Sequence, residues 1–131
     1  MFIHIPDLSK MKPVEHGVAY KFDLKKMKLP KYNFVLQLKT YIQIDKEDDY
    51  TFYITSNDGS KLYLDDKLLV DNDGEHGAKE MSNSIHLNKG RHPIGVEYFQ
   101  TGGSTVLTMS YGSGEIRYQP VPEHILFKSK E

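Results

Sequence analysis

The sequence has no cysteine and no tryptophan. The first absence excludes disulfides, thiolate metal sites, a cysteine nucleophile and iron–sulfur clusters together, and it leaves the compartment undecided. Charge of one sign is not in excess either: 17 Lys and Arg stand against 18 Asp and Glu, a formal net charge of -1. So balanced a chain has no long-range field for nucleic acid or an anionic membrane surface, and neither is expected as a partner. No apolar run approaches the length of a membrane-spanning helix, so membrane insertion is not expected. The opening MFIHIPDLSKMKP lacks the basic start and apolar stretch of a secretory leader. Also missing are a Gly-x-Ser-x-Gly elbow, a glycine-rich phosphate loop and a zinc motif. No catalytic residue is therefore assigned. A paired-carboxylate glycosidase stays open on composition alone, but a domain of this size without inserted loops leaves little room for a sugar-ring cleft.

What is present is alternation. From Asn33 to Ile44, Phe34, Leu36, Leu38, Ile42 and Ile44 share one face with Thr40, which predicts a long strand. After the charged bend Asp45 to Asp49, the residues Tyr50, Phe52 and Ile54 alternate with Thr51, Tyr53 and Thr55, and the two strands are expected to pair as a hairpin. Leu62 and Leu64, then Leu68 and Val70, continue the pattern as a meander of short strands. Later strands are expected over Ser84 to Leu87, Arg91 to Phe99 and Thr105 to Tyr111. Asn88-Lys89-Gly90 would join the first two of these as a hairpin loop ending in a left-handed glycine, and Gly102-Gly103 would make the next turn.

Turn signals recur every eight to twelve residues and no segment from Tyr32 onward reads as a helix. The expected fold is an all-β, two-sheet antiparallel sandwich with little or no helix, a single domain over residues 1–131. The first thirty residues and the tail Gln119-Pro120-Val121-Pro122 are expected to be irregular and to run along sheet edges, where proline is tolerated.

Three turns carry the hard oxygen donors: Asn57-Asp58-Gly59, Asp65-Asp66-Lys67 and Asp71-Asn72-Asp73-Gly74. Such donors suit calcium and sugar hydroxyls, and tight turns use the same residues for their own backbone. The last of them opens like an EF-hand loop but places its glycine fourth rather than sixth and has no bidentate Glu at the twelfth position, so that motif fails. His76 reads as a buried hydrogen-bonding plug. His86 and His92 flank the Asn88 turn, one geometry for a two-histidine metal site, but their parities differ and no third ligand stands at a defined spacing. Lys25-Lys26-Met27-Lys28 with Lys31 lacks interleaved aromatics and reads as a solvated loop. Tyr53 and Tyr63 would either form an exposed platform for sugar stacking or sit half-buried on the sheets.

The stretch TFYITSNDGSKLYLDDKLLVDNDGEHG, followed by HLNKGRHPIGVEYFQTGG, resembles the protective-antigen-type β-sandwich module, the PA-fourteen domain, over nearly the whole chain. The ending YGSGEIRYQPVPEHILFK resembles the close of such modules beside secreted bacterial glycoside hydrolases, particularly hexosaminidase-like ones. The resemblance implies a noncatalytic accessory module, excised from a larger secreted, periplasmic or cell-surface protein and packed beside its catalytic domain. It further implies carbohydrate binding, with a structural spacer as the alternative. In some members two adjacent Asp residues joined by a cis peptide hold a calcium that contacts sugar hydroxyls. The matching pair here is Asn57-Asp58, with one carboxylate replaced by an amide. The expected carbohydrate-binding residues are therefore Asn57, Asp58 and Tyr63, and the expected calcium ligands Asn57 and Asp58. Asp65-Asp66 falls on the family's hairpin turn, and its expected role is to turn the chain.

Overall fold

The computed structural model describes residues 34–101 and 105–131. The expectations for the first thirty residues, for the Lys25–Lys31 loop and for the Gly102-Gly103 turn lie outside them. Among the described residues nine strands follow one another: β1 Phe34–Ile44, β2 Asp48–Asn57, β3 Ser60–Leu64, β4 Lys67–Asn72, β5 Lys79–Leu87, β6 Gly90–Gln100, β7 Val106–Gly112, β8 Gln119–Pro120 and β9 Leu126–Phe127. One turn of 3-10 helix, Glu123–Ile125, is the only helical element among the described residues. The strands build two antiparallel sheets, one ordered β4-β3-β6-β1-β9 and the other β5-β2-β7-β8. The sandwich predicted from alternation is the fold observed.

Period two explains the core directly. Even-numbered residues of β1 and β2, Phe34, Leu38, Ile42 and Ile44 with Tyr50, Phe52 and Ile54, point inward and are buried. They meet Leu62, Leu64, Val70, Ile94, Val96 and Tyr98 from the other strands in one cluster. Tyr111 stacks on Tyr50 at 6.3 Å between ring centroids and tilts against Phe52 at 6.1 Å. Burial of this apolar surface is the main stabilising term.

Three expected pairings are corrected. β1 and β2 do not form a hairpin: β1 pairs with β6 and β9, while β2 pairs with β5 and β7. The bend at Asp45 to Glu47 carries the chain from one sheet to the other. Asn88-Lys89-Gly90 likewise does not close a hairpin, because β5 lies in one sheet and β6 in the other. Gly90 does take a positive φ, 136°. The Asn57-Asp58-Gly59 turn also crosses between sheets, so the meander is limited to β3 and β4. Their turn is as expected: Asp65 and Asp66 both have positive φ, 52° and 64°, as a tight two-residue hairpin requires. A sandwich joins consecutive strands across its core as readily as within a sheet. The proline tail behaves as predicted, since Pro120 sits on the edge strand β8 opposite Ser110.

Candidate functional site

The Asn57-Asp58 turn is at one end of the sandwich, where β2 leaves its sheet and β3 enters the other. Its peptide bond is cis. Asp58 is buried, 5 % exposed, and its Oδ2 accepts two hydrogen bonds from Thr101, from the backbone N–H at 2.9 Å and from Oγ1 at 3.1 Å. The Tyr98 hydroxyl donates to the Asn57 carbonyl, Phe99 N–H donates to the Gly59 carbonyl at 2.9 Å, and Ser56 Oγ donates to the Asp58 carbonyl at 2.7 Å. Asn72 Nδ2 reaches both Ser56 Oγ and the Lys79 carbonyl, at 3.3 and 2.8 Å. The contacts tie the turn to the end of β6 and, through Ser56 and Asn72, to β2, β4 and the start of β5. The turn is a latch whose polar groups are satisfied from within the fold.

Calcium takes six to eight oxygen ligands, several of them carboxylates. This turn supplies one carboxylate, with one oxygen carrying two hydrogen bonds already, beside a neutral amide. Among the described residues no group of three or more His, Asp or Glu side chains is placed to hold a metal ion. His86 and His92 are separated by the two sheets: His86 is clamped between Asp49 at 2.7 Å and Glu47 at 2.8 Å, and His92 bonds Asp65 at 2.9 Å and the Asn88 carbonyl at 2.7 Å. His76 is only half-buried, with its two ring nitrogens against the Gly77 and Asn72 carbonyls at 2.7 and 2.8 Å.

Tyr63 is elsewhere. It lies on the outer face of β3, three residues beyond Ser60, while Tyr53 lies on the outer face of β2 in the opposite sheet, so the two form no common platform. In register, Lys39, Gly95 and Tyr63 stand in one row across β1, β6 and β3, and Gln37, Glu97 and Lys61 stand in the next. Gly95 puts no side chain into its row. The gap becomes an open groove of about 470 Å³ bordered by Gln37, Lys39, Tyr41, Tyr63 and Glu97. A glycine inside a strand often marks close approach by a ligand or another backbone. The Tyr63 hydroxyl donates to Glu97 Oε1 at 2.9 Å, and Gln37 Nε2 reaches Glu97 Oε2 at 3.5 Å. A carboxylate fixed this way is an ordered acceptor beside an aromatic ring, two lysine or amide donors and an empty floor.

Burial first, and then the bond to Glu97, push the Tyr63 phenol up to about 12. A phenol whose pKa rises on folding favours the folded state in its neutral form, so its contribution is complete below the unfolded value near 10 and is lost as pH climbs through about 12. Burial pushes Tyr98 up to about 12 as well, so spectrophotometric titration should show both among the late-ionising tyrosines, with the Tyr63 contribution assigned by its loss in Tyr63→Phe. Removing the partner in Glu97→Gln should move that ionisation downward; an unchanged curve would mean the two side chains do not interact in solution.

Of the predicted site residues, Asn57 and Asp58 come together in the latch and Tyr63 borders the groove. Sequence reasoning missed Gln37, Gly95 and Glu97. The signal was present in part: Gly95 interrupts an otherwise bulky strand, but only the register aligns it with Lys39 and Tyr63.

A sequence model described as PA14 domain matches residues 19–124. The anti-sigma-I factor RsgI3 of Acetivibrio thermocellus is 30% identical over 83 residues, 63% of this chain and 13% of that protein. A putative beta-glucosidase of Schizosaccharomyces pombe is 32% identical over 107 residues, 74% of this chain and 12% of that protein. The solved PA14 sugar-binding domain from an RTX adhesin superposes with a TM-score of 0.64 at 16% identity, covering 72% of this chain and 54% of that one. The chain thus spans about an eighth of the length of the two curated relatives.

Proposed function

This chain belongs to the PA14 domain family, and from that premise we propose that it is a noncatalytic carbohydrate-binding module of a larger, extracellular glycan-processing protein. The groove on the outer face of β1, β6 and β3 carries the reading. Sugars are bound by stacking their C–H faces on aromatic rings and by pairing their hydroxyls with ordered donors and acceptors. Tyr63 supplies the ring, Glu97 the fixed acceptor, and Gln37 and Lys39 the donors, over a floor left open by Gly95. The groove reading calls on no metal. Support also comes from two relatives, one a putative beta-glucosidase by name and one a sugar-binding domain by description. A glycoside hydrolase is accordingly the parent we propose, with the module holding that enzyme near its substrate outside the cell.

A glycan array tests this. The protein should bind a restricted set of glycans, and Tyr63→Ala and Glu97→Gln should each weaken that binding at least tenfold, on the order of the 1.4 kcal/mol that one stacked ring or one charged hydrogen bond contributes. Binding unaltered in both variants would remove the groove from the account, and a wild-type protein that captures no glycan would remove the reading itself. One observation favours a second role: Leu68 and Met81, 47% and 37% exposed, lie on the edge strands β4 and β5 on the same side of the sandwich. Exposed apolar groups of this kind suit packing against a neighbouring catalytic domain.

A further inference from the structure

We propose that the outer face of the second sheet carries a separate sugar-stacking platform, built on Tyr118 and Tyr53 with Glu80, so that the module holds two glycan chains on opposite faces. This inference rests on the glycan-binding reading above but uses none of the groove residues.

Tyr118, in the bend just before β8, is the most exposed large hydrophobic side chain among the described residues, 57% exposed, although apolar rings ordinarily gain by burial. It is nevertheless held. Its ring meets Tyr53 edge to face, 4.7 Å between centroids at 69°, and its hydroxyl donates to Glu80 Oε2 at 2.6 Å. Thr55 Oγ1 reaches the same carboxylate oxygen at 3.5 Å. The bond to Glu80 raises the phenol's pKa above the ordinary tyrosine value. The main chain is shaped to deliver the ring. Ser113 N–H donates to the Ile116 carbonyl at 2.8 Å, closing the turn after β7. A Cβ on Gly112 would stand 3.2 Å from that carbonyl, tighter than an ordinary contact, and 3.5 Å from Tyr118 N, so the chain folds back closely over this glycine.

Around the rings the surface is low and rich in hydroxyls. Tyr53 is flanked in register by the exposed Ser82 on β5 and the buried Ser110 on β7, and the next outward position holds Thr51, bonded to the exposed Ser84 at 2.7 Å. No long side chain stands over the rings on the central strand, where Thr51 and Thr55 are the neighbours. A rigid exposed ring loses little conformational entropy on binding. Beside it, Glu80 offers a fixed acceptor and the serines and threonines offer both donors and acceptors. Ring, fixed carboxylate and short hydroxyls together select a polyhydroxylated ligand with a flat C–H face, which is a pyranose chain.

The two sheets face away from each other, so one glycan cannot reach both sites. Two sites on one rigid module raise avidity on a polysaccharide surface without new contacts. The test is calorimetric titration of the wild-type protein, Tyr118→Ala, Tyr118→Phe and Tyr63→Ala with cellotetraose, xylotetraose, mannotetraose and chitotetraose. The expected result is two oligosaccharides per wild-type chain for at least one probe, and one per chain in Tyr118→Ala and in Tyr63→Ala. Tyr118→Phe should keep the stoichiometry and lose several-fold in affinity, since the ring stays but its tether to Glu80 goes. One site lost only in Tyr63→Ala would overturn the platform and leave the groove standing. One site lost only in Tyr118→Ala would support the platform and overturn the groove. No binding of any of the four would overturn both. Tyr118 is exposed, so circular dichroism should show its variants folded.

Discussion

Gly59→Ala should lose roughly 3 kcal/mol of stability, the upper part of the range for overpacking a filled interior. For a domain of this size that corresponds to a melting temperature lower by about 10 °C. A methyl group built on Gly59 would stand 2.2 Å from Phe99 Cε1, 2.9 Å from Asp73 Oδ1 and 2.9 Å from the Gly74 amide nitrogen. Phe99 is fully buried, and the Gly74 amide is main chain already donating to Asp73 Oδ1 at 2.9 Å. None of the three can step aside as the end of a loose side chain would. The Gly59 carbonyl also accepts from Phe99 N–H, so moving the turn away breaks a strand-end bond. Gly77→Ala is the internal control: nothing lies within 4 Å of its Cβ position, and the change should fall within about 0.5 kcal/mol. Equal melting temperatures for Gly59→Ala and the wild type would show that the turn packs more loosely than described.

The reason glycine occupies position 59 was not legible in the sequence. Read as a chain, Asn57-Asp58-Gly59 is a turn, and turn glycine suggests a positive φ. Among the described residues the positive-φ glycines are Gly74 and Gly90, whereas Gly59 is required by what sits against it, a ring forty residues away. Local turn chemistry and close packing demand the same residue type for different reasons. What alternation does specify is which face each strand buries. Phe34 to Ile44 and Tyr50 to Ile54 were placed correctly because period two is local. Pairing is not local, so two alternating runs joined by a charged bend looked like a hairpin and instead line opposite sides of one core. The strand β5 shows the converse failure. Lys79 to Asn83 are exposed on both faces of an edge strand, so no alternation marks them, and only the stretch from Ser84 was predicted.

The candidate site divides along the same line. Asp58 was visible because acidic turn residues are conspicuous, but its partner Thr101 lies 43 residues away and only the fold brings them together. Tyr63 was visible as an aromatic in an alternating run. Gln37, Gly95 and Glu97 acquire meaning only from register, which sets a missing side chain between Lys39 and Tyr63. A single sequence contains the faces of the strands and hides their neighbours.

Asp58→Ala should be destabilised by about 2 to 4 kcal/mol, with a matching fall in melting temperature that is the same in chelator and in millimolar calcium. The carboxylate is buried and accepts both the main-chain N–H and the hydroxyl of Thr101 through one oxygen. Hydrogen bonds to a charged acceptor contribute about 1.5 to 3 kcal/mol, and removing the acceptor leaves a donor at the end of β6 without its partner. Asp58→Asn keeps an acceptor oxygen at the same place and loses only the charge, so about half of the effect should remain. Thr101→Val removes one of the two donors and should cost less than Asp58→Ala; because both act on one carboxylate, the double variant should be less destabilised than the sum. Calcium is the discriminating condition. A ligand held only by the folded state raises the melting temperature by mass action, so a calcium-dependent rise that vanishes in Asp58→Ala would make this carboxylate a metal ligand. The hydrogen bonds seen here predict the opposite: a carboxylate whose accepting capacity is directed inward, holding β2, β3 and β6 together at one end of the sandwich while sugar is bound on its faces.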